Sequence, residues 1–442
     1  MMNQRINLDH SATTPLLPEV KQAVAAALEE AGNPSSIHQD GQRVKRSLEQ
    51  ARKQVAALIN TKPEEIAFTS CGTESNNWAL RGLITGNTPP SLRRGAGQER
   101  KAKHLIISAI EHPSVSLIAR RLELDGGVQV TILPVDRDGM ALPEDLRKVM
   151  RPETVLVSVM LANGEVGTVE HIQNLAAIAH EQEALFHTDA VAAVGHIAVD
   201  VKALGVDALS LSANQFYGPQ GAAALFVREG VRILPLFEGG GQERGGRSGT
   251  EAVPAIVGMG VAADIAAREL PERMKRLAAL RDRLQDGLRE RIESLRVNGP
   301  SDLRRVTRSG APIPPAADDA RRLRRGEDGW GGAAAGPVEG HENMRLPHNL
   351  HVCIDGVASE SLVLGLDQAG IAAGLGSACN SKAMRPSHVL KAMGLTDEQA
   401  KGALVLSVGV MTTDEEIDRA LELIPQIVDR LRRVTSMTVR GS

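Results

Sequence analysis

Phe68-Thr-Ser-Cys-Gly-Thr-Glu-Ser-Asn76 runs from a short apolar strand through a Gly-Thr turn into a helix. Such a turn aims free backbone N–H groups and a hydroxyl at an anion, typically phosphate, although many strand-to-helix turns share it. The same rhythm repeats on both sides. Short apolar segments at 66–70, 105–108, 129–134, 155–160, 185–187, 208–212 and 222–227 alternate with segments of helical period. Strands spaced this way predict one large α/β domain built on a mainly parallel sheet. Amphipathic helices are expected at 18–31 and 42–59, and a long one at 253–295 with Glu/Arg pairs on a solvated face. A smaller α+β unit follows: strands at 349–354 and 403–407, a helix from Ser359, and a last helix over 414–433. The expected division is an N-terminal arm at 1–20 contributing to the small domain, a large domain at 21–260 and a small domain at 261–442. Two stretches read as insertions, 87–103 and 301–345. The longer carries Pro312, Pro314, Pro315, a basic run at 321–325 and a Gly/Ala tract. It is too poor in apolar residues to offset its ordering entropy, so it reads as a mobile surface loop, with a basic interaction arm as the alternative.

The chain has 442 residues and a formal charge of −3 from 51 basic and 54 acidic side chains. That balance gives no reason to expect nucleic acid or a membrane surface as a partner. No apolar run approaches the ~20 residues of a membrane span, and residues 1–9 show no secretory signal. Three scattered cysteines, Cys71, Cys353 and Cys379, exclude a disulfide scaffold and a four-ligand zinc site. The expectation is a cytoplasmic protein without a resident metal. Aromatic residues make up only 2% of the chain, so a ring-stacking site would need another side chain such as His. Lysine is also scarce, 12 of the 51 basic residues.

Several polar groups stand just past strand ends, where α/β proteins place ligands. His112 follows the strand at 105–108, Asn163 follows 155–160, and Asp189 follows 185–187. The Gly-rich loop from Glu238 to Thr250 adds two arginines and a Ser-Gly-Thr end. Cys379 lies among small residues in Gly374-Leu-Gly-Ser-Ala-Cys-Asn-Ser381, an accessible setting for a nucleophile or sulfur carrier.

These segments, with Leu8-Asp-His-Ser-Ala-Thr-Thr-Pro15, His187-Thr-Asp-Ala190, Phe216-Tyr-Gly-Pro219 and Arg385-Pro-Ser-His388, resemble a cysteine desulfurase of the class V aminotransferase type. The resemblance implies a fold type I transferase dependent on pyridoxal 5′-phosphate: a large, mainly parallel-sheet domain plus a small α+β domain. It implies that Gly72, Thr73, Ser212 and, from a second subunit, Thr250 hold the phosphate. His112 would stack on the pyridine ring, Asp189 would pair with its nitrogen, and Asn163 and Asn214 would line the cofactor. Cys379 would take the substrate sulfur as a persulfide and is a candidate transient ligand of an iron–sulfur cluster. The implied partners are a second copy of the chain and an iron–sulfur scaffold or sulfur-carrier protein, with L-cysteine the candidate substrate.

The pattern then breaks. In Leu211-Ser-Ala-Asn-Gln-Phe-Tyr-Gly-Pro219, Gln215 stands where the family has its Schiff-base lysine, and Asn214 where it has the preceding histidine. An amide forms no Schiff base and takes no proton from a substrate α-carbon. Gln220 replaces a second lysine, and Ala192 a glutamine that bonds the cofactor's phenolic oxygen. Val405 and Val410 replace arginines, the first of which clamps the substrate carboxylate. Two readings follow. One is a desulfurase that converts cysteine to alanine with its cofactor bound non-covalently and another base, Lys382 being the nearest lysine to Cys379 in sequence. The other is a non-catalytic homologue acting as persulfide acceptor, scaffold-binding subunit or regulator. An aminotransferase or selenocysteine lyase fits less well, since transamination also needs the lysine.

Overall fold

The structure is a computed structural model describing residues 5–87, 92, 102–300, 344–375 and 386–440, with side chains to residue 434. Its strands are β1 Ile6–Leu8, β2 Ile66–Thr69, β3 Lys103–Ser108, β4 Val128–Leu133, β5 Thr154–Ser158, β6 Leu185–Asp189, β7 Ala208–Ser212, β8 Ala223–Val227, β9 Leu295–Asn298, β10 Asn349–Ile354, β11 Ile371–Ala373 and β12 Ala403–Ser407. Seven of them form one sheet in the order β2-β8-β7-β6-β5-β3-β4. β8 runs against both neighbours, and the other pairings are parallel. Parallel strands covered on both faces are apolar throughout, and every residue of β5 and β7 is buried.

Because β2, β3, β5, β6 and β7 point the same way, the segments following them leave one edge of the sheet. Helix Gly72–Gly86 follows β2 and helix Pro113–Leu124 follows β3. The strand order places this edge at a switch point: the chain steps outward from β3 to β4, then returns across β3 to β5, β6 and β7.

Helix Val253–Arg291 joins two apolar cores. Ile256, Met259, Ala262 and Ala263 pack into the core of the large sheet, while Leu277, Leu280, Leu284 and Leu288 pack into a second. That second core lies under the sheet β12-β10-β9 and the parallel pair β1-β11, so the N-terminal arm is bound there. Near its start the long helix crosses helix Gln39–Leu58, where a Cβ on Gly260 would lie 2.6 Å from Ala51 Cα. Only glycine permits that approach. Among the described residues no helix is long and apolar enough to cross a membrane.

The sequence expectations shift in identifiable ways. The first helix ends at Leu28 rather than 31, where Glu29 and Glu30 would oppose the negative end of the helix dipole. The second begins at Gln39 because His38 caps it, its Nδ1 accepting from Gly41 N. β1, β9 and β11 were not expected, because three or four residues display no period. The 301–345 insertion lies outside the described residues up to 343, but its last residue is no mobile loop. Arg345 is buried and donates to Pro300 O at 2.9 Å and Asn298 O at 2.6 Å, tying the two flanks of the insertion together.

Candidate functional site

The helix after β2 starts at Gly72 with Cys71 as a non-bonding cap, so no cap side chain engages its first-turn N–H groups. A Cβ on Gly72 would lie 2.6 Å from Val191 Cγ2 and 3.7 Å from Ser212 Cβ. The exits of β2, β6 and β7 therefore meet here, with Thr73 exposed beside them. Glu74 could repel an anion, but it accepts from Arg247 Nε at 2.7 Å and Nη2 at 3.1 Å, and from Ser70 N and Oγ. Burial raises its carboxyl, yet Arg247 and Ser70 outweigh that and hold it below its ordinary range. The arrangement suits a phosphate.

The adjoining wall is a hydrogen-bonded chain. Asp189 is buried; Val191 N donates to its Oδ1 at 3.0 Å and Asn76 Nδ2 to its Oδ2 at 2.6 Å. Asn76 Nδ2 also donates to Ser114 Oγ at 2.8 Å, and Ser114 Oγ lies 2.7 Å from His112 Nδ1. Since Ser114 N donates to Nδ1 at 3.1 Å, that nitrogen is the acceptor and the ring proton belongs on Nε2. Burial raises the Asp189 carboxyl, opposed by Val191, Asn76 and His112, and no salt bridge neutralises it among the described residues. A buried carboxylate in that state is suited to a cationic ring N–H. Asn76 and Ser114, which link Asp189 to His112, escaped the sequence reading; for Asn76 a polar side chain one turn after Gly72-Thr73 was the only signal.

The turn after β7 is built differently. Gln215 is buried, and its Nε2 donates to Ser11 O at 3.2 Å and Ala12 O at 3.3 Å. Thr14 N and Oγ1 each donate to Asn214 O at 2.9 Å, and Tyr217 N donates to Thr14 Oγ1 at 2.7 Å. The N-terminal arm is thus fastened to the turn after β7. Ser212 Oγ donates to Asn214 Oδ1 at 2.7 Å. Asn163 serves its own turn: Oδ1 accepts from Glu165 N and Val166 N, and Nδ2 donates to Ile110 O. Val405 is buried on β12, its backbone paired with Gly374 at 2.9 Å, and offers no side-chain donor.

Thr250 is exposed and makes no hydrogen bond among the described residues. Cys379 and Lys382 lie outside the described residues. The flanks of their segment both reach the site: Gly374 pairs with Val405, and His388 Nε2 donates to Glu111 O at 2.9 Å, next to His112.

The class V aminotransferase family matches residues 6–311. The cysteine desulfurase IscS of Methanosarcina thermophila is 41% identical over 99% of this chain and 95% of its own length. The chain belongs to the cysteine desulfurase family. IscS 1 of Archaeoglobus fulgidus is 40% identical over 97% of this chain and 98% of its own. Among solved structures, a NifS-like protein superposes with TM-score 0.78 at 32% identity, covering 96% of this chain and all of that one. SspA in complex with cysteine superposes at 0.70 with 27% identity over 92% and 99% of the two chains. Membership implies pyridoxal 5′-phosphate. The first-turn N–H groups at Gly72, the buried Asp189 and the oriented His112 fit that group, while Gln215 offers an amide in place of an amine and Val405 an apolar side chain.

Proposed function

We propose that this protein mobilises sulfur for iron–sulfur cluster assembly as a homodimeric, cytoplasmic member of the family that binds pyridoxal 5′-phosphate non-covalently and whose chemistry at the substrate α-carbon is impaired. Gly72, Thr73 and Ser212 hold the phosphate, with Thr250 of a second subunit. His112 covers the ring and Asp189 keeps its nitrogen protonated. When bound, the group supplies an electron sink. What carries the reading is the Gln215 amide, joined to two arm carbonyls at the position where the family keeps its lysine.

Sulfur then reaches Cys379 from a partner. The Cys379 thiolate attacks the terminal sulfur of a donor persulfide; one S–S bond forms, one breaks, and the donor leaves as a thiolate, with no net redox change. A scaffold or carrier protein receives that sulfur by the same exchange. The test is thiol-trapping mass spectrometry on the Cys379 peptide, with Cys379→Ser as blank. Persulfide is expected from an active desulfurase partner or from polysulfide, and none from free L-cysteine with cofactor. Persulfide from free cysteine would instead establish a working desulfurase with another base, Lys382 foremost.

A further inference from the structure

A primary amide has two unlike ends, and that of Gln215 is oriented. Its Nε2 faces the carbonyl oxygens of Ser11 and Ala12, both within 3.3 Å. Turned over, the amide would set oxygen against two oxygens, acceptor against acceptors. Both N–H groups are therefore engaged, while Oε1 accepts no hydrogen bond from the described residues. Position 215 presents a ligand with an acceptor, where a lysine would present a nucleophile.

No other amine replaces it among the described residues near the cup. The segments leaving the carboxyl ends of the sheet, 70–71, 109–112, 159–171, 190–200 and 213–222, contain no lysine. Lys103 sits at the opposite, amino end of β3, its ammonium bonded to Ile84 O and Asn87 O. Asn214 turns its Nδ2 toward Thr13 Oγ1 at 3.5 Å, its Oδ1 accepts from Ser212, and it carries no amine.

We infer that the site selects the amine form of the phosphorylated pyridine, pyridoxamine 5′-phosphate, over the aldehyde form, and holds it without a covalent bond. This rests on the reading that position 215 faces the carbon to which the family's lysine binds. An aldehyde brings an acceptor oxygen to an acceptor, and without a lysine it gains no covalent bond. An aminomethyl group, an ammonium at neutral pH, brings a donor to Oε1. Cup, ring acid and stacking histidine treat the two forms alike, so the discrimination falls to Gln215.

The test is calorimetric titration of the full-length protein with pyridoxal, pyridoxamine and pyridoxine 5′-phosphates. The amine form should bind about tenfold or more tighter than the aldehyde, the worth of a hydrogen bond to a charged group. Gln215→Met, similar in volume but without the acceptor, should erase that ratio. Gln215→Lys should reverse it and yield a borohydride-trapped adduct at position 215. Aldehyde binding as tight as the amine or tighter in the unaltered protein would overturn the inference, and borohydride trapping would then reveal any amine responsible. Binding of none of the three would overturn the cofactor reading beneath it.

Discussion

Gln215 and Val405 come from different elements, but the arm connects them. Ser11 O accepts from Gln215, while Ser11 N donates to Ser407 Oγ at 2.8 Å, two residues along β12 from Val405. A change at either end therefore reaches the other through a short run of backbone. Gln215→Lys alone should give a coloured protein, because it restores the covalent cofactor bond and a base for the α-proton. Its cysteine affinity should remain poor, since a carboxylate without its charged partner forfeits roughly 2–5 kcal/mol. Adding Val405→Arg should raise cysteine turnover by more than the two single changes predict. Absorbance and turnover across that double-mutant cycle check the coupling; effects that add within about 0.5 kcal/mol would mean that the positions act separately.

Among the elements, two histidines act as polar rungs inside the large sheet. His104 on β3 bonds Thr154 Oγ1 of β5 and Thr131 Oγ1 of β4, each at 2.8 Å. His187 on β6 bonds Ser158 Oγ of β5 at 2.9 Å and Ser210 Oγ of β7 at 3.0 Å. Burial lowers the imidazoles of His104, His10 and His196 to about 4 and those of His187 and His351 to about 3, with His348 lower than its ordinary value too. The native protein keeps them neutral while the unfolded chain takes up protons below about 6.5, so unfolding binds protons and stability rises with pH through that window. Glu165, raised by burial to about 7, and the raised carboxyls of Glu111, Asp9 and Asp189 act oppositely, but six imidazoles outnumber them. Urea melts should therefore show stability falling from pH 6.5 to 4.5. His187→Gln should lower stability at pH 7 and flatten that slope by up to about 1.4 kcal/mol per pH unit; a slope of opposite sign would refute the account. These strands were legible in the sequence because buried parallel strands are apolar runs, and Asp189 and His112 because they stand at strand ends. The rungs were not, since a His inside such a run reads as an exception until its neighbours on other strands are known. Asn76 and Ser114 were hidden for the same reason: their partners are 113 and 38 residues away in sequence from Asn76.

Across the whole molecule, large apolar side chains lie bare at the surface, one of them beside the helix that starts at Gly72. Phe237 is 47% exposed, with the Arg247 guanidinium 6.0 Å from its ring, and Arg247 binds Glu74 in the first turn of the cup helix. The Gly-rich loop thus runs from the cup into solvent and ends at the exposed Thr250, while Ile37 is 94% exposed elsewhere on the surface. Large apolar side chains left bare in this way suit a second copy of the chain, and an obligate interface of this kind buries over ~2,000 Å². Light scattering at micromolar concentration should give a dimer. Phe237→Glu should shift it toward monomer and weaken binding of the phosphorylated pyridine at the same time. Thr250→Val should leave the mass unchanged and still lose about tenfold or more in affinity, the worth of a hydrogen bond to a charged group. That split separates a threonine reaching the phosphate of the other subunit from one that merely packs in the interface. A wild-type monomer with undiminished affinity would show that each cup is complete within one chain.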